Sequence, residues 1–349
     1  MRMQGWKTKN YYRIKKYEKK GITNKKKLFL KISWLFLILY IIKLEYNINK
    51  KLNVSHIINS KLNISQIINN KLKVCVCTLG RNENLYIREF VSHYEKYGVD
   101  KIFLYDNNKK DGERFEDVIG DYINNGFVEL LDWRGIDQPI FPIMNDCYRK
   151  NNNKYDWLIF YEIDEFINLY NYSNVKDYLS QDSFKNCSII HLNIINHSDN
   201  DKLYYENKSL HERFPAIVPL ERSQISVKSI VRGNISNLYI SWMHYINENI
   251  PGCNGFGGPS DLIHGNDFKY YVIDHYYSKS TEEFIRKITR GDSWRGTFDY
   301  IQHRTEKYLN QNHITLEKIG MLEKGIGINL SKYKKYIIKR IRRRRNIRN

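Results

Sequence analysis

The residues with the clearest chemistry are Glu162, Asp164 and Glu165, in the run Tyr161-Glu162-Ile163-Asp164-Glu165-Phe166. An apolar stretch, Trp157 to Tyr161, leads straight into them. If the backbone stays extended, Glu162 and Asp164 are two apart and aim to one side. Carboxylates placed that way repel unless a proton or a cation lies between them. Their oxygens suit Mg2+ or Mn2+. An ion held there would bridge a diphosphate and stabilise its charge as it leaves. The plainer alternative is a strand-end turn whose acids are solvated.

Two more polar clusters have the same placement. Arg81-Asn82-Glu83 follows the alternating run Lys73 to Leu79, and Asp106-Asn107-Asn108 follows the short apolar run Lys101 to Tyr105. Asp106 offers acceptors for a base or a ribose; an Asp-Asn pair also forms turns.

These clusters need a scaffold, and the periodicity supplies one. Lys73 to Leu79, Lys101 to Tyr105, Phe127 to Leu131 and Trp157 to Tyr161 are predicted as strands. Between them, Leu85 to Tyr97, Phe115 to Ile123 and Pro142 to Arg149 are predicted as helices. In the first, Ile87, Phe90, Val91, Tyr94 and Tyr97 recur at helical spacing, Asn82 or Asn84 is placed to cap it, and Gly98 ends it. Alternating strands and helices imply an α/β fold with a mostly parallel, helix-flanked sheet, whose ligands bind at the carboxyl ends of the strands. The second half is mixed: strands are predicted at Ile189 to Ile195, Gln224 to Val231, Leu238 to Tyr245 and Tyr270 to Ile273. A helix at Thr281 to Thr289 opens on the capping box Ser280-Thr281-Glu282-Glu283. No GxGxxG or GxxxxGK[ST] occurs in the chain, which disfavours a dinucleotide site or a P-loop.

The net charge of +19 invites a nucleic-acid reading, but its distribution argues against one. Residues 1–27 hold eleven Lys/Arg and one acid, and residues 332–349 hold ten Lys/Arg and no acid. What lies between is close to neutral, so no nucleic-acid partner is expected. The basic C-terminal end is read as a solvated tail, with anionic lipid or polyanion as the sharper alternative. Residues 28–44 form the one long apolar stretch. Lys31 interrupts it, and Trp34 and Tyr40 suit a membrane interface. With the basic N-terminal end cytoplasmic, the expectation is a signal-anchor: a single-pass type II protein of the Golgi or another secretory-pathway membrane. Seven N-x-S sequons, at Asn53, Asn63, Asn171, Asn186, Asn196, Asn207 and Asn234, agree with a glycoprotein. A ten-residue repeat, KLNVSHIINS then KLNISQIINN, marks a stem within 45–71. The catalytic body is then 72–310 and the basic C-terminal tail 311–349. The five cysteines show no CxxC or zinc spacing and are expected as buried structural thiols, their odd count forbidding complete pairing.

The order of motifs resembles the family 2-like and family 92-like glycosyltransferases of GT-A fold. The runs that carry this are VCVCTLGRNENLYIREFVSHYEKYGVDKIFLYDNN at 74–108, WLIFYEIDEF at 157–166, SLHERF at 209–214, VKSIVR at 227–232 and IDHYYSKSTEEFIRKITRG at 273–291. EIDEF is similar to the family's D-x-D-E-F, with Glu162 in place of the first Asp. The resemblance implies a GT-A fold, with a nucleotide-binding sheet joined to an acceptor-side half. It also implies transfer of a sugar, hexosyl in type, from a nucleotide-diphosphate donor to a glycan, lipid or protein acceptor, with inversion and with Mn2+ or Mg2+. Asp164 and Glu162 would hold the metal, and His244 or His275 would complete its site; Glu165 is read as a supporting carboxylate. Asp106 would hold the nucleotide, Arg81 and Glu83 would lie near its base, and Lys279 and Arg290 would meet the diphosphate. Glu212, and after it Asp201, are the candidate bases for the acceptor hydroxyl. The Gly-rich loop 251–265 is read either as one that closes over the donor or as an ordinary surface loop. The alternative is a membrane-anchored, non-catalytic protein that binds glycan or nucleotide sugar and whose site has decayed.

Overall fold

The computed structural model describes Lys43 and residues 72–346, apart from 138–139, 224–225, 242–243, 245, 247–249, 251, 261–269 and 292–297. The expected anchor, apart from Lys43, and the repeat lie outside the described residues. Among those described, no helix is long and apolar enough to cross a membrane.

The first half forms as its periodicity predicts: β1 (Val74–Gly80), α1 (Asn84–Lys96), β2 (Lys101–Asp106), α2 (Glu116–Asn124), β3 (Val128–Asp132), α3 (Ile140–Asn151) and β4 (Trp157–Phe160). Helix α1 buries Tyr86, Ile87, Phe90, Val91 and Tyr94 on one face against the sheet. Full burial of a side chain such as Phe90 contributes about 1.5–3 kcal/mol. Neither Asn82 nor Asn84 caps the helix; Glu83 is its N-cap residue, without a side-chain bond. Gly98 ends it at φ +77°, where a Cβ would also strike the Asn174 amide.

The second half adds β5 (Glu165–Leu169), α4 (Val175–Leu179), β6 (Ile189–Asn196), α5 (Leu210–Arg213), β7 (Val227–Arg232), β8 (Gly252–Cys253) and β9 (Tyr271–His275). All nine strands join one sheet in the order β3-β2-β1-β4-β7-β6-β9-β5, with β8 beside β6. β3, β2, β1 and β4 are parallel neighbours. β7 runs against both β4 and β6, and β5 against β9. The sheet is thus mostly parallel, with its reversed strands in the half expected to be mixed.

Three expectations are corrected. Residues 238–241 are not a strand. Ile240 is buried, but Asn145 of α3 satisfies its backbone, donating to its carbonyl at 2.9 Å and accepting from its N–H at 2.9 Å. Four cysteines are bridged rather than free: Cys77 to Cys147, which fastens α3 to β1, and Cys187 to Cys253. Cys75 stays a buried thiol. The body also does not stop at residue 310. After α6 (Thr281–Thr289) come α7 (Phe298–Gln311), α8 (Leu316–Ile326) and α9 (Ser331–Asn346). Phe284, Ile288, Tyr308, Leu309, Ile319, Leu322, Ile328 and Leu330 form an apolar cluster of their own. This cluster is tied to the sheet side at Asp199, whose carboxylate accepts from Tyr308 at 2.6 Å and pairs with Lys318 at 2.7 Å, both residues of the ion pair buried.

Candidate active site

The acidic run is not extended. After β4 the chain makes a tight turn closed by the Glu165 N–H donating to the Glu162 carbonyl at 3.0 Å. The Glu162 N–H donates to the Glu165 carboxylate at 2.9 Å, and Ile163 plugs into the core. The turn brings Glu162 and Glu165 together and sends Asp164 elsewhere. β7 lies against β4, and its Lys228, fully buried, reaches Glu162 and Glu165 at 3.0 Å each. An ammonium in an apolar strand is tolerable only with such partners.

Asp164 meets the other wall. One carboxylate oxygen, Oδ2, accepts from Lys279 at 2.7 Å and Lys287 at 2.6 Å. The other lies 3.6 Å from His275 Nε2. Lys279 holds a left-handed backbone at φ +51° between β9 and α6, an uncommon state for a residue with a Cβ. Ser280 and Glu283 form the expected capping box, which starts α6 beside it and presents Lys287 and Arg290. His275 ends β9 directly opposite Glu165, so the two share a face. Ligand atoms of Glu162, Glu165 and His275 fall within 4.8 Å of one another. Glu165 Oε1 is buried and makes no hydrogen bond.

Burial opposes the charge on Asp164, but Lys279 and Lys287 overcome it and hold its carboxyl well below the usual range. Burial raises Glu162 as well, yet Lys228 brings it down to about 2. Its side chain keeps 39% of its surface exposed, so water screens that pair. Glu165 differs. Burial, with Glu162 and Asp164 nearby, raises it to about 8 against the pull of Lys228. Burial lowers His275 to about 4, leaving a neutral ring able to bind a cation.

The strand ends beside this turn are cross-linked. Asp106 accepts from Arg134 Nε at 2.7 Å and pairs with its Nη2 at 2.5 Å, and Arg134 also reaches Glu116 at 3.3 Å. Asp106 accepts the Asn108 N–H, and the Asn108 side chain accepts the Asn82 N–H. Arg290 pairs with Glu83 at 3.1 Å and donates to the Arg81 carbonyl. Arg81, Glu83, Asp106, Glu162, Asp164, His275, Lys279 and Arg290 therefore belong to one connected region at the strand ends. Of the other three candidates, His244 lies near enough for the charges of Lys228, Glu162 and His275 to act on its ring, whereas Glu212 and Asp201 have different partners. His244 Nδ1 lies 2.8 Å from the Val227 carbonyl and 2.9 Å from Ser226 Oγ. Glu212 is exposed in the capping box of α5, bonded to Ser209. Asp201 meets Lys318 at 2.8 Å and His313 at 3.2 Å.

Sequence reasoning missed Lys228, Lys287 and Arg134, and gave Glu165 a supporting place. A lysine inside VKSIVR was the available signal for Lys228, because an apolar strand does not otherwise bury an ammonium. Of the Gly-rich loop, residues 252–260 are described. Gly252 and Cys253 pair with β6 and are fastened by the disulfide to Cys187; the rest lies outside the described residues.

Strand order and site together define an α/β protein of GT-A type with an acidic, lysine-lined centre at the ends of its parallel strands. The sequence model of Glycosyltransferase family 92 matches residues 70–290, and the chain belongs to that family. A family 92 protein of Ricinus communis is 24% identical over 233 residues, covering 62% of this chain and 38% of that protein. One from Oryza sativa subsp. japonica is 29% identical over 115 residues, covering 32% of this chain and 19% of that protein. The matched segment is thus well under two thirds of either relative. Crystal structures of S. aureus TarS 1–349, alone and in complex with UDP-GlcNAc, overlay with TM-scores of 0.35 and 0.37 at 12% and 13% identity. They cover 73% of this chain and 79% and 72% of those chains. These overlays are loose, and the fold assignment rests on the strand order itself.

Proposed function

We propose that the chain is a glycosyltransferase that moves a sugar from a nucleotide-diphosphate donor to a glycan, lipid or protein acceptor, with inversion and with a divalent cation. The observation that carries this reading is the acidic turn of Glu162, Asp164 and Glu165, facing Lys279, Lys287 and His275 at the strand ends within the family-matched segment. The donor set suits Mn2+ or Mg2+: two carboxylates and a neutral imidazole converge, and Glu165 Oε1 is buried without a partner. Glu162, Glu165 and His275 would hold the ion, in place of the Asp164-centred set expected from sequence. Once bound, the ion supplies a positive charge against the departing diphosphate. Asp164 fixes Lys279 and Lys287 in place, and Arg290 clamps the Arg81–Glu83 segment that would border the base. The ring of contacts around Asp106 sets the nucleotide side. Neither Glu212 nor Asp201 touches this centre, and each already holds a structural bond, so the base role is assigned to neither. Residues 28–44 are proposed as the anchor of a type II secretory-pathway protein.

The test is to incubate the full chain with a panel of nucleotide sugars and Mn2+ and measure donor hydrolysis and transfer. Metal-dependent turnover of at least one donor is expected, with Asp164→Ala and Glu165→Gln each reducing it at least about a hundredfold, the scale of losing a charge-positioning group. Absence of turnover and of binding with every donor would sink the enzyme reading.

A further inference from the structure

The basic C-terminal end, read from sequence as a solvated tail, is a helix that the body holds. α9 carries nine Lys/Arg and no acid over residues 331–346. Its start is pinned. Leu330 is buried, and its N–H donates to the Glu323 carboxylate of α8 at 3.0 Å. Tyr333 and Ile337, one turn apart, pack against the apolar cluster that holds Phe284, Tyr308 and Leu322. Lys334 pairs with the same Glu323.

The other side of the helix is different. Lys332, Lys335 and Lys339 are exposed and recur at i, i+3 and i+7, which lines them up along one side. Arg342 and Arg343 occupy the next positions of that row. Five basic positions then span about 16 Å of helix axis. Among the described residues, Lys334 is the one lysine of α9 that pairs with an acid. Tyr336 and Ile338 flank the row and are 59% and 40% exposed. Like charges three and four residues apart weaken a helix, and the macrodipole favours cations only in its last turn. The row therefore gains nothing from the chain itself and would gain from an anionic surface. A soluble polyanion would neutralise the lysines but leave Tyr336 and Ile338 in water. A lipid surface takes both: its headgroups meet the row, and the aromatic and apolar flanks enter the headgroup boundary.

We propose that α9 lies on a membrane surface and binds anionic lipid headgroups through Lys332, Lys335 and Lys339. The anchor proposed at residues 28–44 would keep the chain at a bilayer, where a weak second contact gains from tethering. The contact is separate from the transfer chemistry, since no residue of the acidic turn takes part.

The experiment places an environment-sensitive dye on α9 through Ile338→Cys in the full chain, so that the signal reports this helix and not the N-terminal segment. The labelled chain is combined with lipid nanodiscs of phosphatidylcholine, with and without phosphatidylserine. A blue shift of the dye is expected only with phosphatidylserine, and it should fade between about 0.1 M and about 1 M salt as the charges are screened. Each lysine at an anionic surface is worth roughly fivefold in partitioning, so Lys332→Gln/Lys335→Gln/Lys339→Gln should weaken the contact about a hundredfold. The charge-keeping variant with arginine at the same three positions should retain it. Thermal unfolding is recorded for each variant, and if the triple variant does not fold, Lys335→Gln/Lys339→Gln is measured instead. An equal shift with and without phosphatidylserine, or one that the glutamine variant leaves unchanged, overturns the inference. So does a dye that stays in water on the phosphatidylserine discs while heparin binds the chain and is released by the same glutamines, which would make the partner a soluble polyanion.

Discussion

Lys228→Met isolates the electrostatics of the acidic turn from its chemistry. Lys228 holds two carboxylates, but they are unequal. Glu162 is partly exposed and screened, so its arm contributes little. Glu165 and Lys228 are both fully buried. Breaking a buried pair costs about 3–5 kcal/mol when the remaining partner stays charged. Here Glu165 already titrates at about 8, so at pH 7 it keeps its proton and avoids that limit. What is lost is mainly a hydrogen bond to a charged group, about 1.5–3 kcal/mol. The pH dependence sharpens the expectation. A carboxyl raised in the folded state contributes stability below its unfolded value, and that stability is lost as pH rises to the folded value. In the wild type this loss ends near pH 8. Without Lys228 the folded value moves higher, so the loss continues at about 1.4 kcal/mol per pH unit. Urea denaturation at pH 7, 8 and 9 should therefore show a deficit that widens above pH 8. Glu165→Gln in the Lys228→Met background should remove the widening. A deficit below about 0.5 kcal/mol at pH 7, within the range of ordinary surface changes, or one that is flat with pH, would refute the reasoning.

Three other perturbations have defined outcomes. Arg213 and Glu283 form a buried pair at 2.7 Å that joins α5 to α6 and also receives the Tyr86 hydroxyl, so Arg213→Met should cost about 3–5 kcal/mol in chemical denaturation. Removing the bridge between Cys187 and Cys253, 66 residues apart, should cost about 2–5 kcal/mol, and thiol reductant should lower the wild-type Tm but not that of the Cys187→Ser/Cys253→Ser variant by the same route. Burial lowers His93 and His191 to about 4, so each contributes stability above the ordinary histidine value that is lost as pH falls from about 6.5 to about 4. At pH 5.5 that loss is about 1 kcal/mol per histidine, and His191→Asn should flatten the acid limb of a stability–pH curve.

Where one segment's own residues decided the outcome, the sequence was legible. Ile87, Phe90, Val91 and Tyr94 of α1 needed only their own periodicity, and the capping box at Ser280 needed four neighbours. The acidic run shows the limit. Its residue types pointed to a cation site, but an apolar strand does not say where the chain turns. The single hydrogen bond from Glu165 to the Glu162 carbonyl exchanged the partners of three carboxylates. Lys228, Lys287 and Arg134 reach the site from distant segments, so only the folded sheet reveals whom they meet. The failed strand near Ile240 has the same origin, since Asn145, far away in sequence, took the backbone bonds a ladder would have used. The Asn196 sequon shows it again: the motif is present, but its side chain is buried and bonded to Ser223. The C-terminal charge masked an apolar stripe, Ile319 and Leu322, that packs as core.

The ion pair between Asp199 and Lys318 bears on how this protein can be divided or inherited. Asp199 lies inside the segment by which the family is recognised, and its counter-ion lies outside it. A fragment cut at residue 290 would strand a buried carboxylate at a cost of about 3–5 kcal/mol, a large share of a domain's whole stability. It would also strip the apolar cover from Phe284 and Ile288. The recognisable segment is therefore not a transplantable module in this chain. A chimera that exchanges the acidic turn must carry α7 and α8 with it, and changes in these two helices are constrained jointly with changes around Asp199.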